Sequence, residues 1–198
     1  MINRDPLLLD LPAEILTPRL RIVPPASGDG AELNRAIAES FVELHEWMPW
    51  AATMPTVVES EHYVRDAAAR YMRREDLPLF LRKRDSGEFV GATGLHRISW
   101  AVPRIEIGYW CRTSMVGRGY ISEAVVALTR FAFGALHAAR VEIRTDTTNT
   151  RSWRIAERLG FTLEGVLRHD DRTPQGQLRD TRVYGMIDPA ELRADARR

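Results

Sequence analysis

The residues best able to do chemistry sit in the run Ile105–Val125 (IEIGYWCRTSMVGRGYISEAV). Its pattern is a strand, a short loop, a tight Gly117-Arg118-Gly119 turn and the start of an amphipathic helix. The first turn of a helix carries backbone N–H groups without intrahelical partners and a partial positive charge. Two glycines allow backbone conformations closed to other residues and let a ligand approach the main chain. Together these features make an anion site suited to a diphosphate, and Arg118 adds a charged donor that can bind an outer phosphate in bidentate fashion. The turn is not a Walker A loop, because no Gly-Lys-Ser/Thr follows. It is not a dinucleotide fingerprint either: Ser122 occupies the third glycine position, and no acidic-ended strand follows at the right distance.

Other reactive side chains read more plainly. Cys111 has no neighbouring histidine to activate it and is expected to be a packed strand thiol. His96, at a strand end, reads as a hydrogen-bonded turn histidine, with exposure to a substrate as the alternative. His45, His62, His137 and His169 lack metal-ligand spacing, so no metal is expected. Glu123, in a first helical turn, is explained by the helix dipole.

These residues need a scaffold, and the periodicity supplies one. Ile15–Val23 reads as a strand stopped by Pro24-Pro25, and Gly30–Phe41 as a helix with Leu33, Ile37 and Phe41 on one face and Asp29 as N-cap. Glu43–Val57, with its WMPWA segment, reads as a loop or short helix, and Glu59–Arg74 as a helix. Strands are expected at 79–82 and 89–95, joined by an Asp85-Ser86-Gly87 hairpin turn. Arg104–Cys111 alternates Ile105, Ile107 and Tyr109 against Glu106, Gly108 and Trp110, a half-buried strand. A helix follows over 118–133, then a strand at 141–145. A short helix at 151–159 is stopped by Gly160, and strands at 162–167 and 181–187 close the pattern. The expected fold is α/β (α+β): a mixed, mostly antiparallel sheet of about seven strands with helices on both faces. Residues 1–14 read as an arm, 15–187 as one domain, and 188–198 as a short terminal helix.

Composition narrows the function class. A chain of 198 residues fits one domain at roughly 150 residues per domain. The formal net charge of +1 gives no electrostatic pull toward nucleic acid or an anionic membrane. One cysteine excludes an internal disulfide framework and a Cys-rich zinc site, and fits a reducing compartment. No apolar run is long enough to span a membrane, and the N-terminus lacks a small-residue cleavage site, so a cytoplasmic location is expected.

The run EIGYW-x6-GRGYxxEA, followed by RVEIRTDTTNTRSWRIAERLGF and EGVLR, resembles the GNAT superfamily of acetyl-CoA-dependent N-acetyltransferases. More narrowly it resembles the RimJ/RimL-type group, which acetylates protein N-terminal amines. The likeness covers roughly residues 14–187. Ser114 departs from the pattern, since many members carry Gln or Arg three residues before the first glycine. The resemblance implies that Tyr109, Trp110 and Cys111 pair through their backbones with the pantetheine arm like an added strand. It implies that amides of Val116, Gly117, Arg118, Gly119, Tyr120, Ile121 and Ser122 cradle the diphosphate. Asn149 and Ser152 match cofactor-side polar residues, and the Ser152 hydroxyl matches the group that protonates the departing thiolate. A helix-start hydroxyl is the alternative for Ser152. The 104–111 and 141–145 strands are expected to splay apart around acetyl-CoA.

The implied reaction is acetyl transfer to an amine, most directly a protein or peptide α-amine. The alternatives are a small-molecule amine acceptor (antibiotic, polyamine or amino acid) and a non-catalytic acyl-CoA-binding module. Glu106 is the first candidate for the base, with an ion pair to a strand-face arginine as its alternative. Asp171, in an RHDDR turn, is the second, with a solvated turn as its alternative. The oxyanion donor is expected near the N–H of Trp110 or Cys111. Trp47 and Trp50 read as core or lid anchors, or as walls of the acceptor site. A homodimer stays open as an assembly.

Overall fold

Period-two alternation builds a sheet in this chain, and 3.6-residue periodicity lays helices on its two faces. The computed structural model describes residues 5–193. The strands are β1 (Ile15–Leu16), β2 (Leu20–Val23), β3 (Leu77–Lys83), β4 (Phe89–Ser99), β5 (Arg104–Cys111), β6 (Arg140–Asp146), β7 (Thr162–Arg172) and β8 (Leu178–Met186). The helices are α1 (Gly30–Glu39), α2 (Phe41–Trp47), α3 (Val57–Arg73), α4 (Tyr120–Gly134) and α5 (Thr150–Arg158). The strands form one sheet in the order β1-β2-β3-β4-β5-β6-β8-β7. Every neighbouring pair is antiparallel except β5–β6.

Alternation assigns each strand residue to a face. On β3, Leu77, Leu79 and Leu81 join the core with Ile105, Ile107, Val125 and Leu128, beneath α4 and α5. Phe80 points the other way, into a second core with Phe89, Leu33, Ile37 and Val64 beneath α1 and α3. Phe80 and Phe89 meet edge to face, with ring centroids 5.2 Å apart. Each fully buried side chain of this size contributes about 1.5–3 kcal/mol. The two cores pack on opposite faces of the middle of the sheet, so the β4–β5 pair is covered from both sides.

The structure departs from expectation in several places. The sheet has eight strands, because the expected strand over 15–23 folds back on itself. Pro18 cannot donate a ladder hydrogen bond, and Thr17 turns the chain by accepting from the Leu20 N–H at 2.8 Å. Asp29 does not cap α1 with its side chain; its carboxylate pairs with Arg82 at 2.9 Å instead. Glu43–Val57 holds most of α2 and a 3-10 turn over Pro49–Ala51. Helix α3 starts at Val57, two residues early, because Thr56 and Glu59 form a reciprocal capping box. Strand β7 runs on to Arg172, which puts Asp171 on a strand and moves the turn to 173–177. As the exposed edge of the sheet, β7 shows no buried face to mark its length. The expected terminal helix is a 3-10 turn over Pro189–Glu191, and residues 194–198 lie outside the described residues. In the arm, Leu9 and Leu11 pack on the first core, and Arg74 donates to the Leu9 carbonyl at 2.9 Å.

Candidate active site

Strands β5 and β6 pair only from Arg104–Arg140 to Glu106–Glu142, although β5 runs on to Cys111 and β6 to Asp146. Beyond Glu106 the two strands part. The phase of the β4–β5 ladder decides which backbone groups face the gap. Arg112 N–H donates to the Val90 carbonyl at 2.9 Å. By antiparallel alternation Trp110 and Gly108 also bond toward β4, through Ala92 and Gly94. The backbones of Ile107, Tyr109 and Cys111 therefore face the gap. This corrects one expectation: Trp110's backbone is turned inward, while those of Tyr109 and Cys111 point where a strand-like ligand can pair.

The turn beside the gap carries a run of unpaired amides. Gly117 and Gly119 both sit in the left-handed region, at φ 78° and 79°. The first helical bond of α4 runs from Glu123 N–H to the Gly119 carbonyl. The N–H groups from Gly117 to Ser122 have no acceptor among the described residues. Val116 is different: its N–H already donates to Thr113 at 3.2 Å, so the open cradle begins one residue later than expected. The Arg118 guanidinium has no ion pair among the described residues. Ser122 Oγ accepts from Arg158 of α5, which adds a second cation beside the turn.

Glu123 does more than meet a dipole. Its carboxylate accepts from the Thr17 hydroxyl at 2.6 Å and from the Arg19 N–H at 2.8 Å, and pairs with the Arg19 guanidinium. Burial opposes its charge, but these hydrogen bonds outweigh it and hold its pKa below the ordinary value. The β1–β2 turn is thereby tied to the first turn of α4.

Asn149 is the N-cap of α5, its side-chain oxygen accepting from Ser152 N–H at 3.1 Å. Ser152 therefore does not cap the helix. Its hydroxyl reaches β5 and donates to the Tyr109 hydroxyl at 3.2 Å, which in turn donates to the Ser152 carbonyl at 3.0 Å. Burial pushes the Tyr109 phenol up to about 12, so it stays protonated at any working pH. Cys111 is half-buried, with its thiol pushed up to about 11 by burial, so it behaves as a packed thiol.

On the opposite face of β4 and β5 lies a cavity of about 480 Å³. Leu33, Ile37, Met48, Trp50 and Pro55 form its apolar wall; Gly108, Tyr109 and Trp110 bring it to the gap. Trp50 packs against Trp110 with centroids 6.3 Å apart, so it walls this cavity. Trp47 lines no part of it but accepts from Arg179 through its carbonyl at 2.9 Å, linking α2 to the β7–β8 hairpin. The polar lining includes residues that sequence patterns passed over: Arg70 and Tyr63 from α3, Asp76 before β3, and Thr93 on β4. His96 is also here. It lies in the body of β4 rather than in a turn, with Nδ1 2.7 Å from Asp76 Oδ1.

The two proposed bases are placed differently. Glu106 is mostly buried beside the cavity but is not among its lining residues. One of its oxygens, Oε2, has no hydrogen-bond partner. The nearest cations stand at 3.5 Å (Arg97) and 3.9 Å (Arg144). Burial raises its pKa against the pull of both arginines. Asp171 is committed: Arg179 holds it at 2.8 Å and the Arg172 N–H donates to it. Burial opposes its charge, but those bonds prevail and lower its pKa.

A sheet that splits beside an unpaired amide turn, with a cavity on the far face of the split, leaves room for an extended ligand next to a pocket. Residues 19–162 match the acetyltransferase (GNAT) domain family, and the chain belongs to that family. It is an N-acetyltransferase. An uncharacterized N-acetyltransferase of Bacillus subtilis (strain 168), YoaA, is 29% identical over 141 residues, 70% of this chain and 77% of that protein. The ribosomal-protein-serine acetyltransferase of Escherichia coli (strain K12) is 30% identical over 125 residues, 62% of this chain and 69% of that protein. A RimL ribosomal L7/L12 α-N-protein acetyltransferase, solved with coenzyme A, shares the fold at TM-score 0.83 and 21% identity, over 89% of this chain and 99% of the other. No helix among the described residues is long and apolar enough to cross a membrane.

Proposed function

We propose that the protein transfers the acetyl group of acetyl-CoA to the α-amine of a protein or peptide N-terminus, in the cytoplasm. The observation that carries this reading is the junction at Gly108–Tyr109, where the β5 edge on one side and the apolar cavity on the other come within one residue of each other. Free Tyr109 and Cys111 backbone groups suit the amide-rich pantetheine arm, and the Gly117–Ser122 amides with Arg118 suit the diphosphate. Asn149 orders the start of α5, which carries Ser152 to Tyr109.

Chemistry follows from these positions. The amine nitrogen attacks the thioester carbonyl, and the Tyr109 N–H, which faces the gap at that junction, is the donor for the developing oxyanion, in place of the Trp110 or Cys111 N–H expected from the sequence. As the C–S bond breaks, the paired hydroxyls of Tyr109 and Ser152 supply a proton to the sulfur. An α-amine with a pKa of about 7.7–8.0 needs only about 1 kcal/mol to lose its proton at pH 7, against about 4.6 for lysine. A modest base is enough for the first. Of the two carboxylates, Glu106 is retained, as a negative charge beside the site that favours loss of the amine proton, since Asp171 is locked to Arg179.

A strongly cationic small amine fits the cavity less well. Its two carboxylates are already engaged, Glu59 in the α3 capping box and Asp76 by Arg70 and His96. The apolar wall suits a neutral side chain and peptide backbone, and a name such as ribosomal-protein-serine acetyltransferase among the relatives points the same way. The test is an acetyl-CoA consumption screen over peptides with free N-terminal Ser or Ala, free lysine and small amines. Preference for the peptides supports the reading, and turnover of aminoglycosides alone overturns it.

A further inference from the structure

His96 is built into the cavity in a way that packing alone does not require. Arg70 holds the second oxygen of Asp76 and is itself held by Asp66 at 2.8 Å. The first oxygen of Asp76 is thus fixed in front of His96 Nδ1. A carboxylate only accepts, so Nδ1 is the donor here, and in the neutral ring Nε2 is the nitrogen with the free lone pair. Nε2 has no hydrogen-bond partner among the described residues.

The floor under the ring is bare backbone. Gly94 and Gly108 face one another across β4 and β5. A Cβ on Gly94 would lie 2.6 Å from the ring's Cε1 and Nε2, and one on Gly108 2.9 Å from Cδ2. Two glycines therefore let the imidazole lie against the sheet beside the junction where the amine must meet the thioester.

We propose that His96, oriented by Asp76, is the general base that takes the proton from the acceptor amine. As the N–C bond forms, the amine N–H proton passes to Nε2, directly or through one water. The C–S electron pair leaves with the sulfur, which is protonated from Tyr109–Ser152. Asp76 and Glu106, the cross-strand partner of His96, offset the imidazolium charge. The other charged or titratable groups around the ring are Arg70, Tyr63 and Glu59 from α3 and Arg97 along β4. This inference rests on the acetyl-transfer reading and adds to it the group that touches the amine.

The test is the pH dependence of kcat, at saturating acetyl-CoA and N-terminal peptide, for wild type, His96→Gln and Asp76→Asn. Acetyl-CoA affinity is measured on the same samples by calorimetry. Wild-type kcat is expected to fall on acidification, because a protonated ring cannot accept. His96→Gln is expected to lower kcat by about 10²- to 10³-fold and abolish that limb, with acetyl-CoA affinity intact. Asp76→Asn lowers kcat less, with peptide KM and acetyl-CoA affinity unchanged, since the ring loses the carboxylate that orients it. A His96→Gln enzyme with wild-type kcat and limb overturns the proposal. Should His96→Gln lose acetyl-CoA binding through misfolding, a wild-type kcat in Asp76→Asn overturns it instead. A wild-type protein that binds acetyl-CoA but acetylates no amine overturns the functional reading, and the two failures are thereby distinct.

Discussion

Replacing Gly119 with alanine separates the anion cradle's conformation from its packing. Gly119 sits at φ 79°, and a Cβ there would meet only Arg19 Nη2, at 3.4 Å, an ordinary contact. The stability cost is therefore conformational, about 1–2 kcal/mol for an L-residue held in the left-handed region. For a chain of this size that lowers Tm by roughly 2–8 °C. Binding loses more. A turn that relaxes to negative φ swings the amides ahead of α4 away from the diphosphate, and each charged hydrogen bond lost costs about 1.5–3 kcal/mol. One such bond is roughly a 10- to 150-fold loss of acetyl-CoA affinity. Calorimetry of coenzyme A binding, paired with thermal melts, reads both effects. Gly117→Ala, at φ 78° with nothing within 4 Å of its Cβ, should behave alike. Variants that melt earlier yet bind coenzyme A as wild type does would show that the glycines serve only the turn, and would refute the cradle.

Glu106→Gln has opposite effects on stability and rate. A carboxylate whose folded pKa is raised opposes folding above that pKa, so its neutral replacement should raise Tm at pH 7 by about 2–4 °C per kcal/mol recovered, an advantage that fades as pH falls. Turnover should drop, and turnover unchanged across about pH 6–9 would contradict the role given to Glu106. Glu123 has a lowered folded pKa, so its contribution is present above the ordinary carboxylate range and lost as pH falls through it. The Tm difference between wild type and Glu123→Gln should accordingly vanish on acidification, as melts across pH will show. Tyr109→Phe removes a proton donor that never ionises in the working range; kcat should fall about 10²-fold with no new alkaline limb in its pH profile. Trp50→Ala opens the cavity wall and should raise KM for the peptide by about tenfold, with acetyl-CoA affinity unchanged in a binding assay.

What the sequence disclosed follows the strength of each local signal. The Gly117-Arg118-Gly119 turn and the alternation of Ile105 and Ile107 are local patterns, and both appear in the structure where they were expected. Gly160 stops α5 at positive φ, as a C′ glycine does. The full length of β7 leaves no mark in the sequence, because an edge strand exposed throughout has no buried face to imprint on its residues. The split of the first strand turned on Pro18, a single residue within an apolar run. The cavity was hidden for a different reason. Asp76, Arg70 and His96 come from three separate elements, and no spacing announces that the sheet and α3 will bring them together. Gly94 and Gly108 gave a faint hint, two glycines inside strands, where glycine often marks a close approach. The Arg179–Asp171 pair, which occupies one of the two candidate carboxylates, joins β7 to β8 across a turn that no local pattern marks.

The most direct test of the central claim is the backbone amide spectrum of the ¹⁵N-labelled protein during titration with acetyl-CoA. The geometry predicts the largest shifts at Tyr109, Cys111 and Gly117–Ser122, with β1–β3 little changed. Shifts centred on the β7 edge, or none at saturating ligand, would contradict it.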